Sequence, residues 1–233
     1  MSSTPKIVIL TGAGISAESG LKTFRDADGL WENYSIEDVA TPDGWQRNPK
    51  LVLDFYNQRR RDVLAAQPNA AHRACARLQD YFDTVVITQN IDDLHERAGS
   101  RNVLHLHGEI VKARSSVDPD CLVPMTGDIQ FGDKCPRGSQ LRPHVVWFGE
   151  AVPMMEEAAA EARTASQLIV VGTSLRVYPA ASLVEFIRPG TPVTVIDPAP
   201  AMVSARNVTT LPGKASEMLP PFVEKLIAAL GRT

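Results

Sequence analysis

Apolar residues are concentrated in short, continuous runs that are rich in β-branched side chains. Continuous rather than alternating runs are typical of strands that are covered on both faces. The predicted strands are residues 6–10, 84–88, 103–106, 168–172 and 192–197. Segments with helical spacing predict helices led by residues 51–56 and at residues 70–81, 154–166 and 219–230. Strands alternating with helices predict an α/β fold, a Rossmann-like parallel sheet with helices on both faces.

Two segments depart from this pattern. Residues 111–142 are rich in Gly, Pro and Asp, and they predict a small irregular module inserted into the α/β domain. That domain would comprise residues 1–110 and 143–233. Residues 24–50 contain no clear strand and predict a long functional loop with a short helix.

Composition restricts the class of protein. The chain has 233 residues, which suits one large domain with a small insert. A formal net charge of -3 argues against a nucleic-acid partner. The apolar runs are too short for a signal peptide or a membrane span, so we expect no membrane partner. The chain has an odd number of cysteines, and they are widely spaced: Cys75, Cys121 and Cys135. This pattern predicts no disulfide framework and fits a reducing cytoplasm.

A glycine-rich turn follows the first predicted strand. Residues 12–17 read Gly-Ala-Gly-Ile-Ser-Ala and fit the pattern G-x-G-x-x-A. In dinucleotide-binding folds the first Gly permits the tight turn, and the second lets a pyrophosphate approach the backbone. The phosphate then lies at a helix N-terminus. The motif alone is equally compatible with a tight strand–helix turn that binds nothing.

The feature that usually follows this turn in a dehydrogenase is missing. A hydride-transfer domain places an acidic residue at the end of a second strand about 20 residues further on. Residues 23–32 are instead polar and contain glycine. The nearest acid at a strand end is Asp197, which could bind a ribose diol. A nucleotide remains the predicted ligand, but plain hydride transfer is disfavoured.

Further polar clusters come directly after predicted strands, where open α/β sheets place their sites. The clusters are Thr88-Gln89-Asn90-Ile91-Asp92, His107-Gly108-Glu109 and Gly172-Thr173-Ser174. With these, the stretches GAGIS, TFRDADGLW, TQNIDDLHERAG, LHLHGE, LRPHVVWFGE and VGTSLRVYPA resemble the sirtuin family of NAD-dependent protein deacylases. They come in the family's order and cover nearly the whole chain. The chain looks most similar to the bacterial, desuccinylase-related (class III) branch.

The resemblance implies an activity and a set of residues that bind NAD, the consumed co-substrate. The acyl-lysine carbonyl oxygen attacks the nicotinamide ribose carbon as nicotinamide leaves, giving nicotinamide, free lysine and O-acyl-ADP-ribose. Residues 24–50 would form the cofactor-binding loop. The implied NAD-binding residues are Gly12, Ala13, Gly14, Ser16, Ala17, Phe24, Arg25, Trp31, Gln89, Asn90, Ile91, Asp92, Gly172, Thr173, Ser174, Asp197 and Ala215.

His107 is implied as the general base on a ribose hydroxyl, assisted by Asn90 and Asp92. A neutral imidazole with a pKa near the working pH suits that task. His105 is two residues away and would share the same strand face, so spacing alone leaves an ambiguity that the family motif resolves towards His107. His72 is expected to tie down a helix start, and His95 and His144 are expected to be structural.

The implied substrate is an acylated lysine of a protein, bound as an extended strand between Val146–Glu150 and the Val177-Tyr178 segment. The residues expected to contact it are Val146, Trp147, Phe148, Gly149 and Val177. Tyr56 and Arg59 share one helix face and could together bind a carboxylate at the end of an acyl chain. This predicts a preference for succinyl- or malonyl-lysine, with some deacetylation remaining. The alternative is that Arg59 is one of three solvated helix arginines.

The chain departs from the family in its metal site. The family carries four zinc cysteines in two close pairs, whereas the inserted module holds only Cys121 and Cys135, with Ser115 and Ser116 near the position of the first pair. Two thiolates with Asp120 or Asp133 could in principle bind zinc, but structural sites favour four Cys or His ligands. We therefore predict no structural zinc. The module would instead be held by packing of Leu122, Val123, Met125, Ile129 and Phe131.

Two other functions remain compatible with the sequence: a protein ADP-ribosyltransferase on the same scaffold, and a catalytically silent module that binds NAD or ADP-ribose. Tyr56 and Arg59 argue against the first, because ADP-ribosylation needs no acyl-lysine tunnel. The intact set of Asn90, Asp92 and His107 argues against the second. A monomer is expected.

Overall fold

The computed structural model describes residues 4–22, 30–31 and 34–230, with only the backbone of 30–31. Phe24 and Arg25 lie outside the described residues, as does the side chain of Trp31. The strands are β1 (Lys6–Thr11), β2 (Leu30–Trp31), β3 (Tyr34–Ser35), β4 (Asp83–Thr88), β5 (Val103–His105), β6 (Gly108–Ser115), β7 (Leu122–Pro124), β8 (Leu141–Val145), β9 (Gln167–Val171), β10 (Val193–Asp197) and β11 (Val208–Pro212). The helices are α1 (Ala13–Ala17), α2 (Ile36–Val39), α3 (Pro42–Arg47), α4 (Pro49–Ala65), α5 (Ala70–Leu78), α6 (Leu94–Arg97), α7 (Met155–Thr164) and α8 (Ala215–Leu230), with a 3₁₀ helix at Ala180–Glu185.

Six parallel strands form the main sheet in the order β11-β10-β9-β1-β4-β5. The chain moves outward in one direction from β1 through β4 to β5, and in the other from β9 through β10 to β11. The reversal of strand order lies between β1 and β9, and open α/β sheets bind ligands at the carboxyl ends of the strands beside such a point.

Both faces of this sheet are covered, which confirms the predicted fold class. Val8 and Leu10 of β1 pack with α7 and the 3₁₀ helix, whereas Ile7 and Ile9 pack with α5 and α8. Alternate residues of one strand therefore enter two separate cores, and this is why the strand reads as a continuous apolar run. None of the helices in the described ranges is long and apolar enough to cross a membrane.

All five strands predicted from apolar runs are present, but the sixth strand of the sheet was not predicted. Strand β11 lies at the sheet edge, and its residues are intermediate or exposed. An edge strand with few buried positions carries too few apolar residues to be distinguished from a loop. The last helix also begins earlier than predicted, at Ala215, although Pro220 and Pro221 lie within it.

The segment predicted to be an irregular module contributes to a second, three-stranded antiparallel sheet in the order β7-β6-β8. Ile129 is fully buried and packs with Leu53 of α4, and Val123 and Met125 pack against the same cluster. The prediction was wrong for Leu122 and Phe131, which are 44% and 68% exposed. Residues 34–47 contain two short helices, α2 and α3, where one was predicted.

Helix α4 connects this second sheet to the rest of the molecule. The Asn57 side-chain amide donates to the Ile129 carbonyl and accepts from the Ile129 N–H, both at 2.9 Å. The Arg60 side chain is 1% exposed and donates to the carbonyls of Ile110, at 2.8 Å, and Gly127, at 3.2 Å. These bonds compensate for the hydrogen bonds to water that the Arg60 guanidinium loses on burial. They also hold α4 against the module.

Three glycines allow the backbone after β1 to touch the backbone after β9. The Gly12 N–H donates to Val171 O at 3.1 Å, and the Gly14 N–H donates to Gly172 O at 2.8 Å. A Cβ on Gly14 would lie 2.7 Å from Gly172 Cα, and one on Gly172 would lie 2.3 Å from the Ile15 amide nitrogen. The glycine-rich pattern predicts that Gly14 lets a pyrophosphate approach the backbone. In the structure, the absence of a side chain at Gly14 also allows close contact with Gly172.

Gly172→Ala should lower the free energy of unfolding by about 3 kcal/mol or more, because a Cβ there meets the Ile15 backbone as well as requiring a positive φ of 62°. Gly190→Ala is the matched control, since Gly190 also has a positive φ, of 90°, but open space around it. The control should cost only the backbone strain, about 1–2 kcal/mol. Urea unfolding of both variants measures the difference, and equal losses would contradict the close-packing argument.

Candidate active site

A cavity of about 560 Å³ opens at the carboxyl ends of β1, β4, β9 and β10. It is lined by every residue predicted to belong to the site whose side chain the structure describes. On the side of the main sheet these are Gly12, Ala13, Gly14, Ser16, Ala17, Gln89, Asn90, Ile91, Asp92, His107, Gly172, Thr173, Ser174, Asp197 and Ala215. On the side of α4 and the segment after β8 they are Tyr56, Arg59, Val146, Trp147, Phe148, Gly149 and Val177.

Several lining residues were not predicted. Some lie only a few residues along the chain from predicted ones, so proximity in sequence could have indicated them: Glu18, Leu21, Lys22, Pro198 and Ala199. Ala40 lies within residues 24–50, the predicted cofactor-binding loop, whereas Val63 lies on α4 beyond the residues that were assigned to the site. Since the cavity continues past the predicted residues into these segments, the site is larger than motif matching indicates.

The Ser16 hydroxyl is the centre of a buried hydrogen-bond network below the cavity. It donates to Asp92 Oδ2 at 2.9 Å and accepts from the Asn90 side-chain amide at 3.1 Å. The same amide donates to the Gly12 carbonyl at 3.2 Å. The turn after β1 and the segment after β4 are thereby linked through side chains, and networks of this kind fix a single arrangement when every member is satisfied.

His72 completes the network from the opposite side. Its Nδ1 accepts from the Asn69 N–H at 3.3 Å, so the neutral ring carries its proton on Nε2 and donates to Ser16 Oγ at 3.3 Å. Burial lowers the pKa of His72 to about 4, so the ring stays neutral near pH 7. The expectation that His72 ties down a helix start is confirmed by its capping box with Asn69, and the bond to Ser16 is additional.

Asp92 is a buried carboxylate, 5% exposed. Burial raises its pKa, and the donors Leu94 N–H and Ser16 Oγ–H act in the opposite direction by stabilising the anion. His95 lies on the far side of this region, where its Nε2 is 3.0 Å from Thr11 Oγ1, in agreement with a structural role.

The structure separates the two histidines that spacing alone could not. His107 lines the cavity, and its Nδ1 lies 2.8 Å from the Gln89 carbonyl. A carbonyl can only accept, so the proton of the neutral ring is on Nδ1 and the lone pair is on Nε2. Burial lowers the pKa of His107, which keeps that lone pair available at neutral pH. His105 instead lines a second cavity and bonds the Asn90 carbonyl and Glu96.

Tyr56 and Arg59, which both lie on α4, line the main cavity. Tyr56 is fully buried, and burial raises the pKa of its phenol. Its hydroxyl lies near Trp147, but no hydrogen bond of normal geometry joins it to a described residue. Arg59 is 9% exposed and donates to the Lys22 carbonyl at 3.4 Å. The alternative of a solvated helix arginine is thus excluded for Arg59, although it describes Arg61, which forms an exposed pair with Asp128.

A charged group that sequence reasoning missed supports Trp147 from behind. Arg142 is 7% exposed and its Cζ lies 3.2 Å from the centre of the Trp147 ring. It forms an ion pair with Glu150 at 2.8 Å, which Arg114 joins at 3.2 Å. The Glu150 carboxylate also accepts a hydrogen bond from the backbone N–H of Trp147 at 2.8 Å. The wall of the cavity at Trp147 therefore depends on an ion-pair cluster with one more positive than negative charge.

The inserted module does not offer a zinc site. Cys121 and Cys135 are buried free thiols, and no group of three or more His, Cys, Asp or Glu side chains that could hold a metal ion occurs in the described part of the chain. Serine hydroxyls lie beside Cys135: Ser139 Oγ is 3.1 Å from the Cys135 sulfur and 2.6 Å from Ser115 Oγ. The hydrogen bond with Ser139 lowers the pKa of the Cys135 thiol to about 6. Two thiols with neutral hydroxyls do not fit a tetrahedral structural zinc.

Comparison with known proteins decides the family. A sequence model of the Sir2 family matches residues 12–179, which contain the glycine-rich turn, the Asn90–Asp92 segment and His107. The chain belongs to the Sir2 family. It is 51% identical over 222 residues to an NAD-dependent protein deacylase of Helicobacter pylori, with 95% of this chain and 97% of the relative covered. It is 54% identical over 196 residues to one of Aggregatibacter actinomycetemcomitans, with 84% and 94% covered.

Solved Sir2 structures have the same fold. A Sir2 homologue in complex with ADP-ribose superposes with a TM-score of 0.90 at 40% identity, covering 99% of this chain and 95% of that one. A Sir2 homologue with NAD gives a TM-score of 0.88 at 40% identity, with 97% and 91% covered. A Sir2 complex with a p53 peptide and NAD gives 0.77 at 29% identity, with 99% and 95% covered.

The ion-pair cluster of this Sir2-family chain generates a stability prediction. Glu150→Gln leaves Arg114 and Arg142 partly buried without their carboxylate, and should lower the free energy of unfolding by about 2–3 kcal/mol. The control is Glu224→Gln, which removes an exposed partner of Arg77 and should cost less than about 1 kcal/mol. Chemical denaturation at pH 7 measures both, and a loss at Glu150 no larger than at Glu224 would count against the cluster as a support.

Proposed function

We propose that this chain removes acyl groups from protein lysines with NAD as co-substrate, and prefers acyl groups that end in a carboxylate. NAD-dependent deacylation follows from membership of the Sir2 family and from relatives of about half-identical sequence that carry that name. The acyl preference rests on one observation: Tyr56 and Arg59, three residues apart on α4, both line the cavity. The individual residue roles below are part of the proposal.

NAD is proposed to occupy the part of the cavity beside the β1–β9 contact. The backbone of residues 12–14 and of Gly172–Ser174 lines that part on two sides. Asp197 ends β10, is 3% exposed, and would accept hydrogen bonds from a ribose diol. Asn90 and Asp92, fixed by Ser16, would orient the nicotinamide ribose and the nicotinamide amide. NAD supplies an electrophilic ribose carbon, and the role of this chain is to orient it and to exclude water.

His107 is proposed as the general base. Its Nδ1 is committed to the Gln89 carbonyl, so Nε2 is the atom that would take a proton from a ribose hydroxyl. The hydrogen bond to Gln89 also fixes the ring, in the way that a carbonyl or carboxylate orients the base of a catalytic pair.

The acyl-lysine peptide is proposed to lie as an added strand between Val146–Gly149 and Val177. The N–H groups of Val146, Trp147 and Phe148 already donate within the protein, so a peptide would pair with other backbone groups of this region. Such pairing would give affinity with little dependence on sequence. Phe148 and Tyr178 are 43% and 68% exposed beside the cavity, where they can contact the residues flanking the lysine. The similar fold of a Sir2 complex with a peptide and NAD supports this path. We further propose a monomer in a reducing cytoplasm, in keeping with three free thiols.

Arg59→Met should reduce kcat/KM for a succinyl-lysine peptide by about 100-fold or more and leave acetyl-lysine turnover within a few fold, because only the first substrate carries a carboxylate. Arg61→Met is the matched control two positions further along α4, where the side chain bonds Asp128 on the surface. Peptide kinetics with both variants measure the effect. Equal loss on the two substrates would contradict the acyl preference while leaving deacylation in place.

His107→Ala should abolish formation of O-acyl-ADP-ribose, since no other described residue with a free imidazole lone pair lines the main cavity. In the wild type, kcat/KM should fall as the pH drops through the pKa of His107, which lies below the usual value of about 6.5. Mass spectrometry with an acyl peptide and labelled NAD measures the products. Full deacylation by the variant would remove the base assignment, and label retained on protein without acyl-ADP-ribose would indicate an ADP-ribosyltransferase instead.

A further inference from the structure

His105 and His107 contact the same segment from two sides. His107 Nδ1 bonds the Gln89 carbonyl and His105 Nδ1 lies 3.2 Å from the Asn90 carbonyl, so consecutive carbonyls after β4 each accept from one imidazole. Only His107 faces the main cavity. The function described above makes no use of His105, although its side chain is 8% exposed and carries two hydrogen-bonding nitrogens.

Both ring nitrogens of His105 face acceptors. Nδ1 faces the Asn90 carbonyl and Nε2 lies 2.8 Å from a carboxylate oxygen of Glu96 on α6. A neutral imidazole can donate from only one nitrogen, whereas the imidazolium donates from both. Burial acts to lower the pKa of His105, but the hydrogen bond and charge of Glu96 outweigh it, and the pKa is raised. The geometry and the charges both favour the imidazolium.

Other ionisable groups around His105 line a second cavity, of about 310 Å³, which is separate from the main cavity. They come from β6, β8 and α7 and are Glu109, Lys112, His144, Glu157 and Glu161. His144 has a pKa lowered to about 4 by burial and is neutral at pH 7. Lys112 is paired with Glu109 at 2.5 Å and Glu161 with Lys6, so Glu96 is the carboxylate that compensates His105 directly.

The imidazolium acts on two residues of the proposed NAD site. It fixes the Asn90 carbonyl, while Thr88 Oγ1 accepts from the Asn90 N–H at 3.0 Å and Ser16 accepts from the Asn90 side chain. Its positive charge also favours ionised Asp92, against the burial that raises the pKa of that carboxyl. A charge-assisted bond is shorter and stronger than a neutral one, so the segment is held more firmly while His105 is charged.

We propose that the Glu96–His105 ion pair is a positioning element for NAD binding: through the bond from His105 to the Asn90 carbonyl it holds the Asn90–Asp92 segment in place. Neither residue touches the cofactor-binding part of the cavity, so both act through Asn90 and Asp92. The inference rests on the proposed roles of those two residues in binding NAD.

Glu96→Gln tests the charge separately from the hydrogen bonds, because a Gln oxygen or amide can still pair with His105 in either protonation state. Without the carboxylate the pKa of His105 falls. At acid pH His105 is charged in both proteins, and the KM for NAD of the variant should approach the wild-type value. In the pH range between the His105 pKa of the variant and that of the wild type, only the wild type keeps the charge. There the KM of the variant should rise to about fivefold above wild type, with kcat little changed.

Glu157→Gln is the matched control, since it removes a carboxylate from the same second cavity without a bond to His105. It should leave the KM for NAD within twofold of wild type at every pH. His105→Gln cannot be charged at any pH and should show the raised KM at acid pH as well. Thermal melting of each variant identifies any general loss of structure.

A KM ratio that is constant across pH, a Glu96→Gln variant indistinguishable from wild type, or an equal effect of Glu157→Gln would overturn the proposal. Calorimetric measurement of NAD affinity on the same proteins should show the same pH-dependent ratio. If the wild type binds NAD but deacylates no lysine, the proposed function fails, whereas the positioning role is still decided by the binding ratio.

Discussion

The site depends on one close backbone contact, the approach of residues 12–14 to Gly172 at the point where the sheet reverses its strand order. Side chains at Gly14 or Gly172 would occupy the space that the other backbone fills. Because the two turns touch, loops from both halves of the sheet line a single cavity instead of two shallow ones. The remaining loops of the site, after β4 and β10, are adjacent to these two turns because their strands neighbour β1 and β9.

A buried polar network converts this backbone contact into a fixed arrangement of side chains. Ser16 has one proton to give and two lone pairs to receive, and Asp92, Asn90 and His72 use all three. In a low-dielectric interior, the direction of each bond is set by its neighbours. The neutral His72 must donate to Ser16, so Ser16 must donate to Asp92. The polar side chains under the cavity therefore have one defined orientation, because every donor and acceptor of Ser16 has a partner.

The parts of the fold that sequence predicted are those with both faces buried. The five strands with continuous apolar runs were predicted. Strand β11 at the sheet edge has no buried position, and β6 in the antiparallel sheet mixes charged and buried positions, so both were missed. Phe131 was expected in the module core because it is apolar, but it is largely exposed. For the site, short motifs identified the lining residues well. They could not identify Arg142 beside Trp147 or Glu96 beside His105, because a sequence does not distinguish a charge that pairs with a residue of the site from one that only contacts solvent.

Helix α4 has a consequence for how this enzyme can diversify. The same helix carries Tyr56 and Arg59 on the cavity side and, through Asn57 and Arg60, bonds the backbone of Ile129, Ile110 and Gly127 on the module side. The residues proposed to recognise the acyl group and those that bond the inserted module are thus joined over a single turn of helix. A chimera that received the module of another family member would keep the bonds to residues 127 and 129 only if the new backbone followed the same path beneath α4. Because these bonds are made to backbone carbonyls, they constrain the path of the module and not its side chains.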